Sequence, residues 1–252
     1  MSWQKMPPDI APVPSGAAWR GLLRAGSVSI CFGLVFGFST AIIAGVLDDV
    51  AKAYALGTAA TETMVAALVF SAFLGAIAAS PVTSYLGRRA GLGLASLLVL
   101  GGYTVILFEP DARLFMAARI AIGFAVGLSS MAAPMYAGEA SPTRYRGAIV
   151  SMFQLAVTLG ILAAYALPLF FFGTLAWFQI IGTGVVIGGA ALVVTLVVPE
   201  SPRWLLARGK PAQAKKAATV LGLSADDLPN APKRPRTAGP STLFQGAIPM
   251  VL

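Results

Sequence analysis

Residues 119–154 are the most informative segment of the chain, and the centre of this segment reads Pro134-Met-Tyr-Ala-Gly-Glu139-Ala-Ser-Pro142-Thr-Arg144-Tyr-Arg146-Gly147. Apolar segments long enough to span a membrane lie on both sides of this charged centre. The pattern predicts a tight, charged turn between two helices in lipid. Arg119 falls inside the first helix and Gln154 inside the second, and polar groups in lipid need either a partner or a function.

The composition of the chain indicates a membrane location. Only 11% of its 252 residues are charged and 57% are hydrophobic, whereas a water-soluble domain carries about 25% charged residues. The net charge of +8 follows mostly from where lysine and arginine lie relative to the spans, so it does not indicate nucleic-acid binding. The chain contains no histidine, which excludes imidazole metal sites and Ser-His triads. No span contains a cluster of acidic residues that could perform chemistry.

We therefore expect an all-α, multi-pass membrane protein that is not an enzyme. Its partners should include the lipid bilayer, and we expect no nucleic acid, no cofactor and no metal.

Six apolar segments predict six transmembrane helices, near residues 26–47, 63–85, 90–108, 114–137, 147–172 and 175–198. The predicted organisation is an N-terminal tail over 1–25, a six-helix bundle over 26–198, short helices over 199–222, and a flexible linker with an incomplete seventh span over 223–252. Of the 18 lysines and arginines, 15 fall on one side of the membrane and 2 on the other, with Arg119 inside a span. The positive-inside rule then places both termini in the cytoplasm and the protein in the cell (inner or plasma) membrane.

The sequence also contains an internal repeat at an offset of 90 residues. Gly33-Leu-Val-Phe-Gly37 in the first span matches Gly123-Phe-Ala-Val-Gly127 in the fourth, and Asp49 falls opposite Glu139. Two repeats of three helices each predict a three-plus-three inverted repeat, which is a transporter architecture. Chance similarity between helices rich in glycine and alanine is the alternative. The glycine pairs are expected to allow close helix packing.

Two motifs carry a resemblance to a known family: the charged centre over residues 134–147 and Pro199-Glu-Ser-Pro-Arg203-Trp-Leu205. Over residues 26–210 the chain resembles the N-terminal half of a major facilitator superfamily transporter, closest to the sugar porters. The resemblance implies six transmembrane helices followed by a short helical cytoplasmic tail. It also implies one bundle of a pathway for a sugar or a similar small polar solute.

The resemblance implies two groups of site residues. At the cytoplasmic ends of the spans, opposite charges are expected to pair when that side is closed and to separate when it opens. These gate candidates are Arg88, Arg89, Glu139, Arg146, Glu200 and Arg203, and the alternative is that they only anchor helix ends at the lipid headgroups. The substrate-binding candidates are Gln154, Phe38 and Arg119. In sugar porters the glutamine that matches Gln154 bonds sugar hydroxyls, and helix packing is its alternative role.

The chain departs from the family pattern in several places. Ser39 stands where proton-coupled sugar porters have an aspartate that pairs with the arginine matching Arg119. The second–third loop reads Ser84-Tyr-Leu-Gly87-Arg-Arg89 instead of ending Asp-Arg-x-Gly-Arg-Arg, Trp177-Phe178 replaces Trp-Arg, and six C-terminal spans are missing.

Three expectations follow from these departures. The bundle should supply no proton site, and Arg119 should extend to water instead of needing a counter-ion. The chain should require a second six-helix bundle, either another copy or a separate C-terminal half. A non-transporting membrane partner or a truncated, inactive transporter fragment is the alternative function.

Overall fold

The computed structural model describes residues 16–171, 173–224 and 227, and these form a helical bundle. In chain order the elements are α1 (Gly16–Ala41), a 3₁₀ helix (Ile42–Gly45), α2 (Leu47–Ala53), α3 (Thr58–Leu86), α4 (Arg88–Leu107), α5 (Ala112–Glu139), α6 (Arg146–Phe170), α7 (Trp177–Gly182), α8 (Gly184–Val197), α9 (Pro202–Ala207) and α10 (Pro211–Val220).

The prediction of six spans is confirmed. Six segments of the described chain are long and apolar enough to cross a membrane: Trp19–Gly45, Thr58–Leu86, Arg88–Leu107, Ala112–Glu139, Arg146–Phe170 and Trp177–Val197. The first joins α1 to the 3₁₀ helix, and the last joins α7 to α8. The predicted linker and incomplete seventh span lie outside the described residues except for positions 223, 224 and 227, and residues 1–15 also lie outside them.

Two segments that the sequence suggested were outside helices are helical. The first helix begins at Gly16, ahead of the predicted start of the first span at Gly26. Leu22 and Ala25 are buried there, so packing against the bundle stabilises this extra length. The acidic segment after the first span forms α2, whose first turn carries Asp48 and Asp49. Acidic side chains are favourable at that end of a helix.

Glycines bring the backbones of α1 and α6 into direct contact. A Cβ atom at Gly37 would lie 2.0 Å from the carbonyl oxygen of Val157, and one at Gly33 would lie 2.5 Å from that of Phe153. In the other direction, a Cβ at Gly160 would lie 2.7 Å from the carbonyl oxygen of Leu34. Real Cβ atoms do not approach this closely, so only glycine fits at these three positions.

The same three contacts recur between α5 and α3. A Cβ at Gly127 would lie 1.8 Å from the carbonyl oxygen of Ala72, one at Gly123 would lie 2.4 Å from that of Leu68, and one at Gly75 would lie 2.0 Å from that of Phe124. Every contact on α5 is 90 residues after its match on α1, and every contact on α6 is 85 residues after its match on α3. This matching supports two repeated three-helix units, and their inverted relation stays a prediction.

The antiparallel helices give the bundle two different ends. We call the end that carries Arg88, Glu139 and Glu200 the charged end. We call the opposite end the aromatic end, because the rings of Tyr54, Phe115, Trp177 and Phe178 meet there with centroids 5.5–5.7 Å apart.

Candidate functional site

An ion pair joins two helix termini at the charged end. Arg88 is the first residue of α4 and Glu139 is the last residue of α5. The Nε and Nη2 atoms of Arg88 each donate to one carboxylate oxygen of Glu139 at 3.0 Å. Their side chains are only 17% and 16% exposed. The hydroxyl of Ser201 also donates to Glu139 at 2.5 Å. This forked geometry fixes the relative orientation of both groups as well as their distance.

Glu200 caps the N-terminal end of α4. Its Oε1 accepts the backbone N–H groups of Arg88 at 3.0 Å, Arg89 at 3.1 Å and Ser201 at 2.8 Å. The first N–H groups of a helix have no partner within the helix, and a carboxylate is favourable at that end. Gly87 precedes them at φ +105°, where a Cβ atom would lie 2.2 Å from Oε2 of Glu200. The glycine therefore allows both the turn and the approach of the carboxylate.

Arg89 bonds to backbone oxygens instead of a carboxylate. Its Nε donates to the carbonyl of Thr195 at 3.0 Å and its Nη2 to that of Leu196 at 2.8 Å. Both carbonyls belong to the last turn of α8, where helix carbonyls lack partners and a cation is favourable. Arg89 thus holds the end of the sixth span against the beginning of the third.

Arg146 and Arg203 also donate to carbonyls. Arg146 Nε bonds Gly138 at 2.7 Å, and Arg203 Nη2 bonds Asp227 at 3.3 Å. Within the described residues, Nη2 of Arg146 and Nε of Arg203 are buried and have no hydrogen-bond partner. Of the six gate candidates, the structure therefore brings Arg88, Glu139 and Glu200, with the backbone of Arg89, into one network, and it bonds the other two arginines separately.

Several residues at the charged end were not recognised from the sequence. Ser201, which donates to Glu139, also caps α9 by accepting the N–H of Trp204 at 3.3 Å. Asp227 accepts the N–H of Thr143 at 2.9 Å and the hydroxyl of Ser224 at 2.7 Å. Although burial alone would raise it, these hydrogen bonds lower the pKa of the Asp227 carboxyl. Asp227 falls in the predicted linker, and no local pattern marks it.

The three substrate-binding candidates lie in different environments. Gln154 is exposed on α6, and its side chain has no hydrogen bond within the described residues. Arg119 is only 3% exposed and donates to the carbonyl oxygen of Met64 at 3.4 Å. The expectation that Arg119 reaches water is therefore wrong, because α3 packs over it. Phe38 is 1% exposed. Only Gln154 among the three has its side chain at the surface of the bundle.

A buried polar pair lies beside Phe38. The hydroxyl of Tyr103 donates to Oγ of Ser39 at 2.7 Å, and its ring packs edge-to-face on Phe38 with centroids 5.9 Å apart. Sequence reasoning identified Ser39 and Arg119 but missed Tyr103, because a tyrosine within an apolar span resembles other core aromatics.

The comparisons with known proteins agree on one family. Residues 26–233 match the family described as "Sugar (and other) transporter". The chain is 31% identical to the galactose-proton symporter of Escherichia coli (strain K12) over 198 residues, covering 77% of this chain and 43% of that protein. It is 36% identical to inositol transporter 4 of Arabidopsis thaliana over 191 residues, covering 73% of this chain and 32% of that protein.

Solved structures show the same fold. The proton:xylose symporter XylE bound to 6-bromo-6-deoxy-D-glucose superimposes with a TM-score of 0.73 at 26% identity. That match covers 82% of this chain and 50% of the symporter. A partially occluded inward open conformation of the xylose transporter XylE from E. coli gives a TM-score of 0.72 at 27% identity, over 80% of this chain and 55% of that one. The chain thus spans about half or less of the length of these relatives.

Proposed function

Because this chain belongs to the sugar (and other) transporter family, we propose that it forms one six-helix wall of a transport path for a sugar or a similar small polar solute. The observation that carries this proposal is the exposed amide of Gln154 on a membrane-spanning helix. A polar group without a partner in lipid is costly, so the amide requires a solute, water or another protein surface. The relatives named for galactose, inositol and xylose favour a polyhydroxylated solute.

In this proposal, Gln154 contacts the solute directly, since an amide both donates to and accepts from hydroxyl groups. Phe38 and Arg119 are buried, so they act on the site through packing. Arg119 holds α5 to α3 through the carbonyl of Met64, and Phe38 supports the ring of Tyr103.

We propose that a second six-helix bundle supplies the opposite wall. Alternating access requires two bundles that move about a site between them. The helices α3 and α6 expose large apolar side chains over most of their length, including Phe70, Phe73, Leu155 and Leu162. These two helices occupy equivalent places in the repeat, and α6 carries Gln154. Their exposed faces are therefore where the second bundle would pack.

The charged end is proposed to face the cytoplasm, in agreement with the distribution of lysine and arginine. The Arg88–Glu139 pair lies within this bundle and stiffens it. A gate that closes between two bundles would instead use charges with unused donors. Among residues 16–224, without 172, and residue 227, Arg146 and Arg203 have buried nitrogens without hydrogen-bond partners, so carboxylates of the second bundle would pair with these two arginines.

Reconstitution into vesicles tests the function. We expect no saturable uptake of D-glucose, D-xylose or myo-inositol at a lipid ratio that yields one copy per vesicle. Uptake selective for the D-sugar over its L-enantiomer should appear when a second bundle is present. Saturable, stereospecific uptake at one copy per vesicle would refute the two-bundle argument. If none of the three solutes bound under any condition, the transport proposal would be refuted.

Substitution of Gln154 tests the site. We expect Gln154→Ala to weaken solute binding about fivefold, the effect of losing one neutral hydrogen bond worth about 1 kcal/mol. Ser151→Ala is the matched control, because Ser151 is also exposed on α6 and lies one turn closer to the charged end. Equal binding by Gln154→Ala and the unaltered chain would refute the assignment of Gln154.

A further inference from the structure

A cavity of about 620 Å³ opens at the aromatic end of the bundle. Its wall includes Asp49 and Lys52 of α2, Pro168 near the end of α6, and Trp177 at the start of α7. Cavities that hold small molecules are typically about 300–1,000 Å³, with apolar and aromatic walls and a few polar groups. This cavity, which we call the outer pocket, has the size and the mixed wall of such a site.

The two charged groups of the outer pocket have no partners in the part of the chain that the structure describes. Asp49 and Lys52 form neither a hydrogen bond nor an ion pair with any described residue, although they lie three residues apart on one helix. Residues at this spacing lie on the same face of a helix. The pocket wall therefore presents a free carboxylate acceptor and a free ammonium donor whose charges sum to zero.

The internal repeat shows that this arrangement is specific to the aromatic end. Asp49 corresponds to Glu139 at the offset of 90 residues, and Glu139 is bonded by Arg88 and by Ser201. Arg88 is the first residue of α4, which is the third span of its unit. Trp177 is the first residue of α7, which begins the third span of the other unit. The Arg88 guanidinium, which bonds Glu139 at the charged end, thus has no counterpart at the aromatic end. There, a cavity lies beside the equivalent carboxylate, that of Asp49.

We propose that the outer pocket is a second binding site for a neutral, polyhydroxylated solute, separate from the site at Gln154. Hydroxyl groups donate to the Asp49 carboxylate and accept from the Lys52 ammonium, so one solute satisfies both charges without carrying a charge itself. The apolar wall and the Trp177 ring accommodate the C–H face of such a molecule. This inference rests on the proposed function for the class of solute, and it places a docking site at the outer end of the path.

Protection from thiol labelling tests the outer pocket. Ala53 lines it and is exposed, so Ala53→Cys in a Cys31→Ala background places one reactive thiol there. The protein in detergent is labelled with a charged maleimide, with and without D-glucose or myo-inositol. At a solute concentration about four times its Kd, labelling should slow about fivefold, because only the unoccupied fraction reacts.

Variants of the charged residues provide the control. Protection should be lost in the Asp49→Asn/Lys52→Gln double variant and kept in Asp48→Asn, since Asp48 is exposed beside Asp49 and does not line the pocket. The proposal would be overturned if neither solute protected the thiol or if protection survived in the double variant. It would also be overturned if glycine or choline protected the thiol and the two neutral solutes did not. Protection should also persist in Gln154→Ala. Protection without any uptake in vesicles that also contain a second bundle would refute the transport function and leave the pocket standing. Uptake in those vesicles without protection would refute the pocket and leave the transport function standing.

Discussion

Gly87 illustrates how strictly single positions are specified at the charged end. Its φ of +105° and ψ of 163° lie in a region that essentially only glycine adopts. The absence of a side chain also lets the Glu200 carboxylate approach the first N–H groups of α4. A change at this one position therefore strains the backbone and displaces a charged cap.

We expect Gly87→Ala to lower the free energy of unfolding by about 1–3 kcal/mol from backbone strain, with a further loss from displacing Glu200. The thermal unfolding midpoint in mild detergent is the measurement. Gly101→Ala is the control, because Gly101 lies within α4 and a Cβ there would meet no atom within 4 Å. It should leave stability unchanged or raise it by up to about 1 kcal/mol. Equal midpoints for the two variants would contradict the role of Gly87.

The pair formed by Ser39 and Tyr103 leads to a second prediction at this scale. Both groups are neutral hydroxyls, and no described transmembrane segment holds Asp or Glu near them, so solute binding by the unaltered chain should be independent of pH between about 5 and 8. Ser39→Asp introduces a buried carboxylate beside the Tyr103 hydroxyl and should make binding pH-dependent. Titration of binding by fluorescence or equilibrium dialysis measures both. If solute binding by the unaltered chain depended strongly on pH, the bundle would have a proton site and the prediction would be wrong.

The sequence predicted single residues unevenly, because only some of them are marked by their own segment of the chain. Arg88, Glu139 and Glu200 were recognisable because charges at the ends of apolar spans stand out and match family motifs. Tyr103 and Asp227 were missed because their partners are 64 and 84 residues away. Arg119 was placed wrongly because its depth in the span was considered without the neighbouring helix that covers it.

At the scale of helices, direct backbone contact holds the bundle together. The glycines of α1 and α5 leave no layer of side chains between these helices and their partners α6 and α3. Dispersion contacts and close approach replace the hydrophobic effect as the source of helix association in lipid. The periodic glycines were visible in the sequence, but the partner helices were not, since spacing alone does not say which helix each glycine faces.

Gly127→Ala should separate α5 from α3 and destabilise the bundle by about 1–3 kcal/mol, the usual cost of overpacking. The obstruction is the carbonyl oxygen of Ala72, which belongs to the backbone and cannot rotate away. Gly189→Ala on α8 is the control, because its Cβ would have open space. Thermal unfolding in detergent distinguishes them, and a Gly127→Ala protein as stable as the control would show that this contact is not tight.

Helix ends were harder to predict than helix existence. Residues 16–25 contain Arg20 and Arg24, which suggested a polar tail, yet these residues form the beginning of α1. Arg24 donates to the carbonyl of Val220 at 2.6 Å, so the C-terminal end of α10 stabilises one of the two charges that made this segment resemble a tail.

For the whole molecule, the distribution of basic residues predicts orientation. With the charged end in the cytoplasm, the segment before α3 faces outward and the segment after α10 faces inward. A cysteine replacing Thr58 should react with an impermeant thiol reagent in intact cells, and one replacing Ser224 should not. Both positions are exposed, so accessibility differs only through the membrane, and Cys31→Ala removes the native thiol. The reverse labelling pattern would overturn the topology.

Architecture was the most predictable property of the molecule and association the least. Six apolar segments and two family motifs were sufficient for the fold, because span length and composition are set by the bilayer itself. The proposed second bundle is supported in this chain only by the exposed amide of Gln154 and the apolar faces of α3 and α6.

The cap that Glu200 places on α4 has a consequence for the timing of biosynthesis. Glu200 follows Arg88 by 112 residues, and Glu139 follows it by 51. At about 5–20 residues per second, the ribosome adds Glu200 roughly 6–22 s after Arg88. During that interval the turn between α3 and α4 exists without the Glu200 carboxylate, and Arg88 has at first no carboxylate partner and then only that of Glu139. The charged end is therefore completed in a fixed order by synthesis, and a nascent chain arrested before residue 200 holds a third span whose first N–H groups are still open.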